Sequence, residues 1–474
     1  MSSPATSAVE RWPRQIKFIV GNEACERFSY YGMRSVLAGY ITGAVLKGGL
    51  GQDADASTEI IHTFVFANYF MPLFGAWLSD KLIGRYHTIL WVSLFYCAGH
   101  GVLACSDLAG TVHGKLLLLY TGLALIAFGS GGIKPCVSAF MGDQFKPEQS
   151  HLLQKAYGAF YWAINLGSFF SFLVIPWIKD RHGYGLAFGV PGILMAIATF
   201  IFWLGTKHYV RVPPGRKTKS AGFFKVFWHA LTGKRAPGQS FWDAARDRFS
   251  EKEIDAAKSV LPILFVFALI PIFFSLFDQT NSTWVLQGEK MVPTRILGLD
   301  IGAEQMQSMN PLIVMILVPL FTLGIYPRIG RFASPLRRMA YGMFLAAGSY
   351  LVVAALQRQI EAGAPLSVLW QTVPYVILTA AEVLVSTTGL EFAFREAAPE
   401  MKSIVMSFWL LTIAFGDLLV VVVTKLFSSA SDPAASVSTN RFLLYAGMTF
   451  VVAILFSVVA TTYRYRDAAA AQGK

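Results

Sequence analysis

The sequence predicts an all-α membrane protein of twelve transmembrane helices in two six-helix halves. Three observations predict it. Of 474 residues, 54% are hydrophobic and only 14% are charged, whereas a soluble domain is about 25% charged. Twelve segments are apolar over about 20 residues, the length that crosses a hydrocarbon layer of about 30 Å. The net charge of +12 is spread over alternate connections rather than gathered in one patch. A chain this long could form roughly three soluble domains, but too few charges remain to cover their surfaces. The four cysteines, Cys25, Cys97, Cys105 and Cys136, form no CxxC pair, so neither a zinc site nor a disulfide framework is expected.

The first six spans are expected at 16–45, 60–83, 88–105, 116–140, 156–178 and 186–203. The second six are expected at 259–286, 309–326, 339–356, 368–394, 404–427 and 442–463. This divides the chain into an N-terminal bundle (1–206), a linker (207–258) and a C-terminal bundle (259–474). No cleavable signal peptide is expected, because Arg11, Arg14 and Lys17 precede the first apolar stretch and no small-residue cleavage site follows.

Basic residues mark one side. Arg11 and Arg14 lie before the first span, Lys81 and Arg85 after the second, and Arg328, Arg331, Arg337 and Arg338 after the eighth. Arg464, Arg466 and Lys474 follow the last. The linker holds twelve Lys or Arg against five acids, while residues 51–59 on the opposite side carry two Asp, one Glu and no base. By the positive-inside rule both termini and the linker are cytoplasmic. The charge therefore reports topology and an anionic lipid leaflet, and no nucleic-acid partner is expected. Residues 240–258, with Phe241, Trp242, Phe249 and Ile254 among charges, fit an amphipathic surface helix and a solvated linker about equally.

A faint repeat links the halves. Asp80-Lys81-Leu82-Ile83-Gly84-Arg85 follows the second span and Tyr326-Pro327-Arg328-Ile329-Gly330-Arg331 follows the eighth. With six spans on each side of a linker, this matches the major facilitator architecture.

Charges inside the spans carry the functional signal. Glu23, Glu26, Arg27, Tyr30 and Arg34 recur at helical spacing and form one stripe. Each ion at a helix centre costs about 2.5–3.5 kcal/mol to insert, so four facing lipid would cost roughly 10 kcal/mol. They must face protein or a wet cavity. Lys134, Asp278 and Glu382 stand in the fourth, seventh and tenth spans. Glu26, Asp278 and Glu382 balance Arg27, Arg34 and Lys134, and such a set can exchange partners between two halves, as a gated, ion-coupled carrier requires. His62 and Tyr69 share a face of the second span, and His62 is the side chain most easily titrated near neutrality. On spacing alone, Trp284 and Trp409 read as packing or belt residues. Phe128-Gly129-Ser130-Gly131-Gly132-Ile133-Lys134-Pro135 permits close helix approach beside the lysine. No phosphate loop, HExxH or GxSxG motif is present, so no enzyme or ATP-driven pump is expected.

The stretch Glu23-Ala24-Cys25-Glu26-Arg27-Phe28-Ser29-Tyr30-Tyr31-Gly32 resembles the ExxERFxYYG signature of the proton-dependent oligopeptide transporters (POT/PTR). Gly132 to Phe140 with Gly142-Asp143-Gln144-Phe145, and Phe160 to Ser168, resemble that family's motifs in the fourth and fifth helices. Phe277-Asp278-Gln279, Asn310-Pro311 and Ser407-Phe408-Trp409 extend the likeness over nearly the whole chain. The resemblance implies a bacterial inner-membrane, multi-pass major facilitator protein, monomeric and surrounded by lipid. It would import di- and tripeptides with protons and need no other cofactor. It assigns the peptide amino terminus to Glu382 with Asn165 and Asn310, and the carboxylate to Arg34 and Lys134, with Tyr30, Tyr31 and Tyr69 nearby. Trp284, Ser386 and Trp409 would line the pocket. Glu23, Glu26, Arg27, His62 and Asp278 would serve proton coupling and gating, the acid at Asp278 pairing with Arg34, with the primary proton acceptor open between His62 and the Glu23/Glu26 pair. Two departures stand out. The linker lacks the two extra helices of many bacterial members, and His62-Thr63-Phe64-Val65 resembles the animal transporters. A carrier of another small anion or drug-like molecule, such as nitrate, is the alternative.

Overall fold

The structure is a computed structural model that describes residues 12–215, 222–234, 238–296, 298–329, 334–428, 435–463 and 465. Arg11, Gly330, Arg331, Arg464, Arg466 and Lys474, used above for topology and for the repeat, lie outside the described residues.

The first half begins with α1 (Ile16–Ser35), which bends at Val36 into α2 (Leu37–Thr42). Then come α3 (Ala54–Phe70), α4 (Pro72–Leu78), α5 (Gly84–Ala104), α6 (Val112–Gly142), α7 (Ser150–His182) and α8 (Tyr184–Leu204). Local chemistry sets several starts. The Asp53 carboxylate accepts the Ala56 N–H at 2.7 Å before α3, and Thr111 accepts from Gly114 at 3.1 Å before α6. Pro72 opens α4, where its missing N–H costs nothing.

The linker carries α9 (Phe223–Thr232) and α10 (Glu251–Lys258). The second half holds α11 (Val260–Phe267), α12 (Pro271–Phe277), α13 (Thr283–Glu289) and α14 (Met309–Pro319). It continues with α15 (Tyr326–Ile329), α16 (Pro335–Glu361), α17 (Thr372–Glu382), α18 (Thr388–Glu396), α19 (Lys402–Phe427) and α20 (Thr439–Thr462). A short antiparallel hairpin, β1 (Thr294–Ile296) with β2 (Leu299–Ile301), caps the connection before α14.

Among the described residues nine helices are long and apolar enough to cross a membrane, or ten with the bent pair Glu251–Phe267 and Pro271–Glu289 taken as one span. One of the nine is the 55-residue run Ala54–Leu108, about 80 Å of helix at 1.5 Å per residue and too long for one bilayer. It breaks at Gly84, whose φ of 78° is open to glycine without strain. Its two arms both pack on α6, so the second and third expected spans are both there. The first helix falls short on apolarity because Glu23, Glu26, Arg27 and Arg34 lie within it. With these resolved, all twelve expected spans have a helical counterpart.

Within the first half α1 packs on α7 and α8, and α5 on α6 and α8. Within the second, α16 packs on α17 and α20, and α12 on α19. The halves meet through α3 on α19 and α7 on α14. Outward-facing side chains such as Trp91, Phe95, Phe200, Trp203, Phe450, Ile454 and Leu455 are exposed. Together they form an apolar belt larger than a water-facing surface ordinarily carries.

Glycine explains the tightest contact. A Cβ built on Gly75 would stand 2.6 Å from the Gly132 carbonyl oxygen, and one on Gly129 would stand 2.7 Å from the Tyr96 backbone nitrogen. The Gly129–Gly132 run thus lets α6 touch α4 and α5 backbone to backbone. Gly129→Val is expected to lower stability by about 1–3 kcal/mol through overpacking. Gly101→Ala, where a Cβ meets nothing within 4 Å, should leave it unchanged or raised. Thermal unfolding of the detergent-solubilised protein checks the contrast.

The linker departs from expectation. Residues 240–258 form no single amphipathic helix; a turn at Asp243–Ala245 precedes α10, whose start is a capping box between Ser250 and Glu253. The amphipathic element is α9, which lays Phe223 and Phe224 against Phe408 of α19 at ring distances of 6.0 and 5.9 Å. It leaves Phe224, Trp228 and Leu231 exposed.

Candidate functional site

A cavity of about 160 Å³ lies between the halves. On the first half it is walled by Tyr31 and Arg34 of α1, Tyr69 of α3, and Tyr161 and Asn165 of α7. On the second it is walled by Asp278 after α12, Asn310 of α14, Glu382 of α17 and Ile413 of α19. Phe172, Phe274 and Phe277 add an aromatic lining.

The two walls differ in charge. Glu382 ends α17 where the backbone loosens into a π-helical turn, Val383–Thr387, a distortion that frequently marks functional positions. Its Oε2 accepts the Asn310 side-chain amide at 2.7 Å. On the opposite wall Arg34 is buried and donates to Asp278 at 3.2 Å across the halves. Behind it, the Lys134 Nζ is buried with no hydrogen-bond partner among the described residues. It rests 4.0 Å from the ring of Tyr69 and 4.6 Å from that of Tyr30, in the geometry of a cation held by π-faces. Tyr30 is fixed in turn by Asn68, which donates to its hydroxyl at 2.7 Å.

Deeper in the first half, Arg27 stands between two carboxylates, 2.7 Å from Glu23 and 3.2 Å from Glu26. Both glutamates are buried. The stripe on α1 thus faces protein, as its insertion cost demands.

The end of the molecule away from the linker, the far end, is sealed by bonds between the halves. His62 Nδ1 lies 2.7 Å from Asp417 and its Nε2 lies 2.8 Å from the Ser282 hydroxyl. Lys179 donates to Glu304 at 2.6 Å. Asp55 accepts the Ser436 backbone N–H at 2.8 Å, and Gln307 donates to the Ser35 carbonyl at 3.0 Å. Burial pushes the Glu304 carboxyl up to about 7, against the opposing pull of Lys179.

The expected site residues separate into groups. Tyr31, Arg34, Tyr69, Asn165, Asp278, Asn310 and Glu382 share the cavity. Tyr30 and Lys134 stand one layer behind it. Glu23, Glu26 and Arg27 form their own cluster, and His62 belongs to the far-end seal. Three expected pocket residues lie elsewhere. Trp284 is fully buried between Tyr350 and Tyr375, at 5.8 and 4.9 Å. Trp409 packs on Phe267 and Phe274 at 5.3 and 5.9 Å, and Ser386 sits on the π-helical turn away from the lining. Large aromatics supply packing area first, and both tryptophans do so here.

The balance of charges also needs correction. Asp417, fully buried in α19, belongs in the count, as does Glu23. Glu23, Glu26, Asp278, Glu382 and Asp417 then stand against Arg27, Arg34 and Lys134. The rule that singles out Asp278, an acid inside an apolar span, applies equally to Asp417. Ser282, Lys179, Glu304 and Asn68 carried no such signal, because polar residues near helix ends or beside hydroxyls are common.

Two helical halves around a polar cavity, with charged groups from both halves turned inward, define a major facilitator fold. The chain belongs to the POT family: residues 86–439 match the model for "PTR2: POT family". It is 38% identical over 382 residues to solute carrier family 15 member 1 of Homo sapiens, covering 75% of this chain and 53% of that protein. It is also 38% identical over 403 residues to human member 2, covering 80% and 54%. The chain spans about half the length of these curated relatives. The crystal structure of the POT family transporter PepTSo superposes with a TM-score of 0.87 at 38% identity, covering 96% of this chain and 99% of that one. An auto-inhibited POT family peptide transporter gives 0.87 at 38%, covering 95% and 98%.

Proposed function

We propose that the protein is a proton-coupled symporter that imports di- and tripeptides by alternating access. The observation that carries the reading is the opposed polarity of the cavity. Glu382 with Asn310 offers a carboxylate on one wall, and Arg34, backed by Lys134, offers cations on the other. A zwitterionic peptide has charged ends a few ångströms apart and variable side chains between them. A site that grips both ends and surrounds the middle with Tyr31, Tyr69 and Phe172 tolerates that variety. A carrier of nitrate alone would have no use for Glu382.

In this reading Arg34 and Lys134 attract the peptide carboxylate, and Glu382, Asn165 and Asn310 hold its amine. Glu23, Glu26 and Arg27 couple the proton. Asp278 and His62 serve the gate. The positive-inside rule puts both termini and the linker in the cytoplasm of a cell whose inner membrane holds the chain. The sealed far end then faces outward. The 38%-identical transporter described as carrying peptides supports the substrate class. The protein works as a monomer with protons alone as coupling ion.

Energetics give the test. A potential of ~100 mV contributes ~2.3 kcal/mol per proton, and one pH unit adds ~1.36 kcal/mol. With one proton per peptide the limit is roughly 500-fold accumulation. Proteoliposomes with an interior negative and alkaline should concentrate labelled dipeptide toward that limit. Uptake that ignores a protonophore, or that needs sodium, refutes the coupling. Competition by nitrate in place of tripeptide refutes the substrate.

A further inference from the structure

The linker helix α9 has two apolar sides, and the protein's own packing uses only one of them. Phe223, Val226 and Ala230 are buried. Phe227, half-buried beside them, packs on Phe241 and Trp242 at 5.5 and 6.2 Å. At helical spacing these four share one side. Phe224, Trp228 and Leu231 stand at i, i+4 and i+7 on another side and are 61%, 66% and 48% exposed. Lys225 and Thr232, both exposed, form a polar edge beside that stripe. The helix thus presents one sector to protein, one uncovered apolar sector and one polar sector.

Position tells what covers the uncovered sector. Phe223 and Phe224 meet Phe408 of α19 at 6.0 and 5.9 Å. Phe408 belongs to an apolar stripe at helical spacing on α19: Ile404, Phe408, Leu411, Phe415, Leu418 and Val422. Phe415, Leu418 and Val422 are exposed, in a helix long and apolar enough to cross a membrane. The α9 helix therefore sits on the side that this span turns to lipid. Phe408 comes six residues after Lys402, the first residue of α19, or about 9 Å along its axis. An interfacial helix buries its apolar side by about 5–10 Å, so the depths agree. Charge agrees as well. Residues 207–242 hold eight Lys or Arg and no acid, and the linker's five acids all fall within 243–255. A segment this basic is drawn to an anionic leaflet, whereas a second copy of the same surface would set like charges together.

We infer that α9 is an anchor for anionic lipid on the linker side of the membrane. Phe224, Trp228 and Leu231 enter the boundary between headgroups and acyl chains, and the basic residues around them bind negatively charged headgroups such as that of phosphatidylglycerol. Lys225 and Lys234, both exposed, bracket the stripe along the chain. The hold passes through Phe408 to α19, whose Ile413 lines the cavity. The inference concerns the linker and rests on no step of the proposed transport.

Spin labels test this in the full chain, with Cys25, Cys97, Cys105 and Cys136 changed to alanine and the protein in mixed phosphatidylcholine and phosphatidylglycerol vesicles. Labels at Phe224→Cys, Trp228→Cys and Leu231→Cys should be relaxed by oxygen, which concentrates among acyl chains, more than by a water-soluble nickel chelate. Labels at Lys225→Cys and Thr232→Cys should show the reverse. All five positions are exposed, so the labels should not disturb folding. In the Leu231→Cys protein, adding Lys225→Gln or Lys234→Gln should each lower the ratio of inserted to free label about fivefold, which is ~1 kcal/mol per lysine. Vesicles of phosphatidylcholine alone should also release the label. Nickel access all round the helix overturns the proposal. So does shielding of the stripe from both reagents, which would mean that protein covers it. Equal insertion in phosphatidylcholine alone overturns the anionic partner. A lack of peptide transport would sink the proposed function and leave this result standing.

Discussion

Glu26→Gln is expected to abolish proton-driven accumulation while leaving peptide-for-peptide exchange within a few-fold of the parent. One guanidinium, Arg27, serves two buried carboxylates, so the cluster carries a surplus negative charge where one proton can sit. Glu23 takes the shorter contact with Arg27, 2.7 Å, and a hydrogen bond with it. Glu26 is 3.2 Å away, and among the described residues neither of its oxygens has a hydrogen-bond partner. Protonating Glu26 therefore breaks less. Glutamine imitates the protonated form and spares a buried charge, so folding should not suffer. Accumulation should fall from the roughly 500-fold limit given by one proton at these gradients to none. Driven uptake at the parent's level would remove Glu26 from the mechanism and pass the role to Glu23. The same pair of assays on His62→Gln separates a relay role from a gating one, since a gate residue alters both exchange and driven uptake.

Glu382→Gln is expected to weaken peptides with a free amino terminus by roughly 10- to 150-fold. That range corresponds to the ~1.5–3 kcal/mol of a hydrogen bond to a charged group. The amide keeps a partner for Asn310, which now sits 2.7 Å from Oε2, so the wall should keep its shape. N-acetylated peptides, which bring no positive charge to Glu382, should change by less than about threefold. Isothermal titration with a matched pair of free and acetylated dipeptides makes the comparison. Equal losses for both would refute amine recognition and leave Glu382 as a structural acid.

The residues that could be read in advance were those whose placement in a membrane span is costly. Glu23, Glu26, Arg27, Arg34, Asp278 and Glu382 are ions in apolar segments, and the penalty forces each inward wherever the helices settle. The same economy of hydrocarbon thickness set the count and length of the spans. Asp417 obeys the same rule, as an acid inside an apolar span. Trp284 and Trp409 went the other way: an aromatic ring is equally content in a pocket or in a core, so one-dimensional spacing does not separate the two.

Sequence by itself determined the membrane class, the two halves, the helical stripe on α1 and the set of ions that had to find partners. Hydrophobic period and desolvation cost are local properties, and they act before any helix meets another. The pair of Arg34 with Asp278 is already implied by the family resemblance, and only the tertiary structure decided the others: His62 with Asp417 and Ser282, Lys179 with Glu304, and Lys134 with two tyrosine rings. It also decided that α4, α5 and α6 touch through glycine, and that α9 rather than residues 240–258 is the amphipathic element of the linker. Those outcomes join residues up to 355 positions apart. They depend on how two halves dock, and every cation in the core had more than one acid within the choice that charge alone allowed.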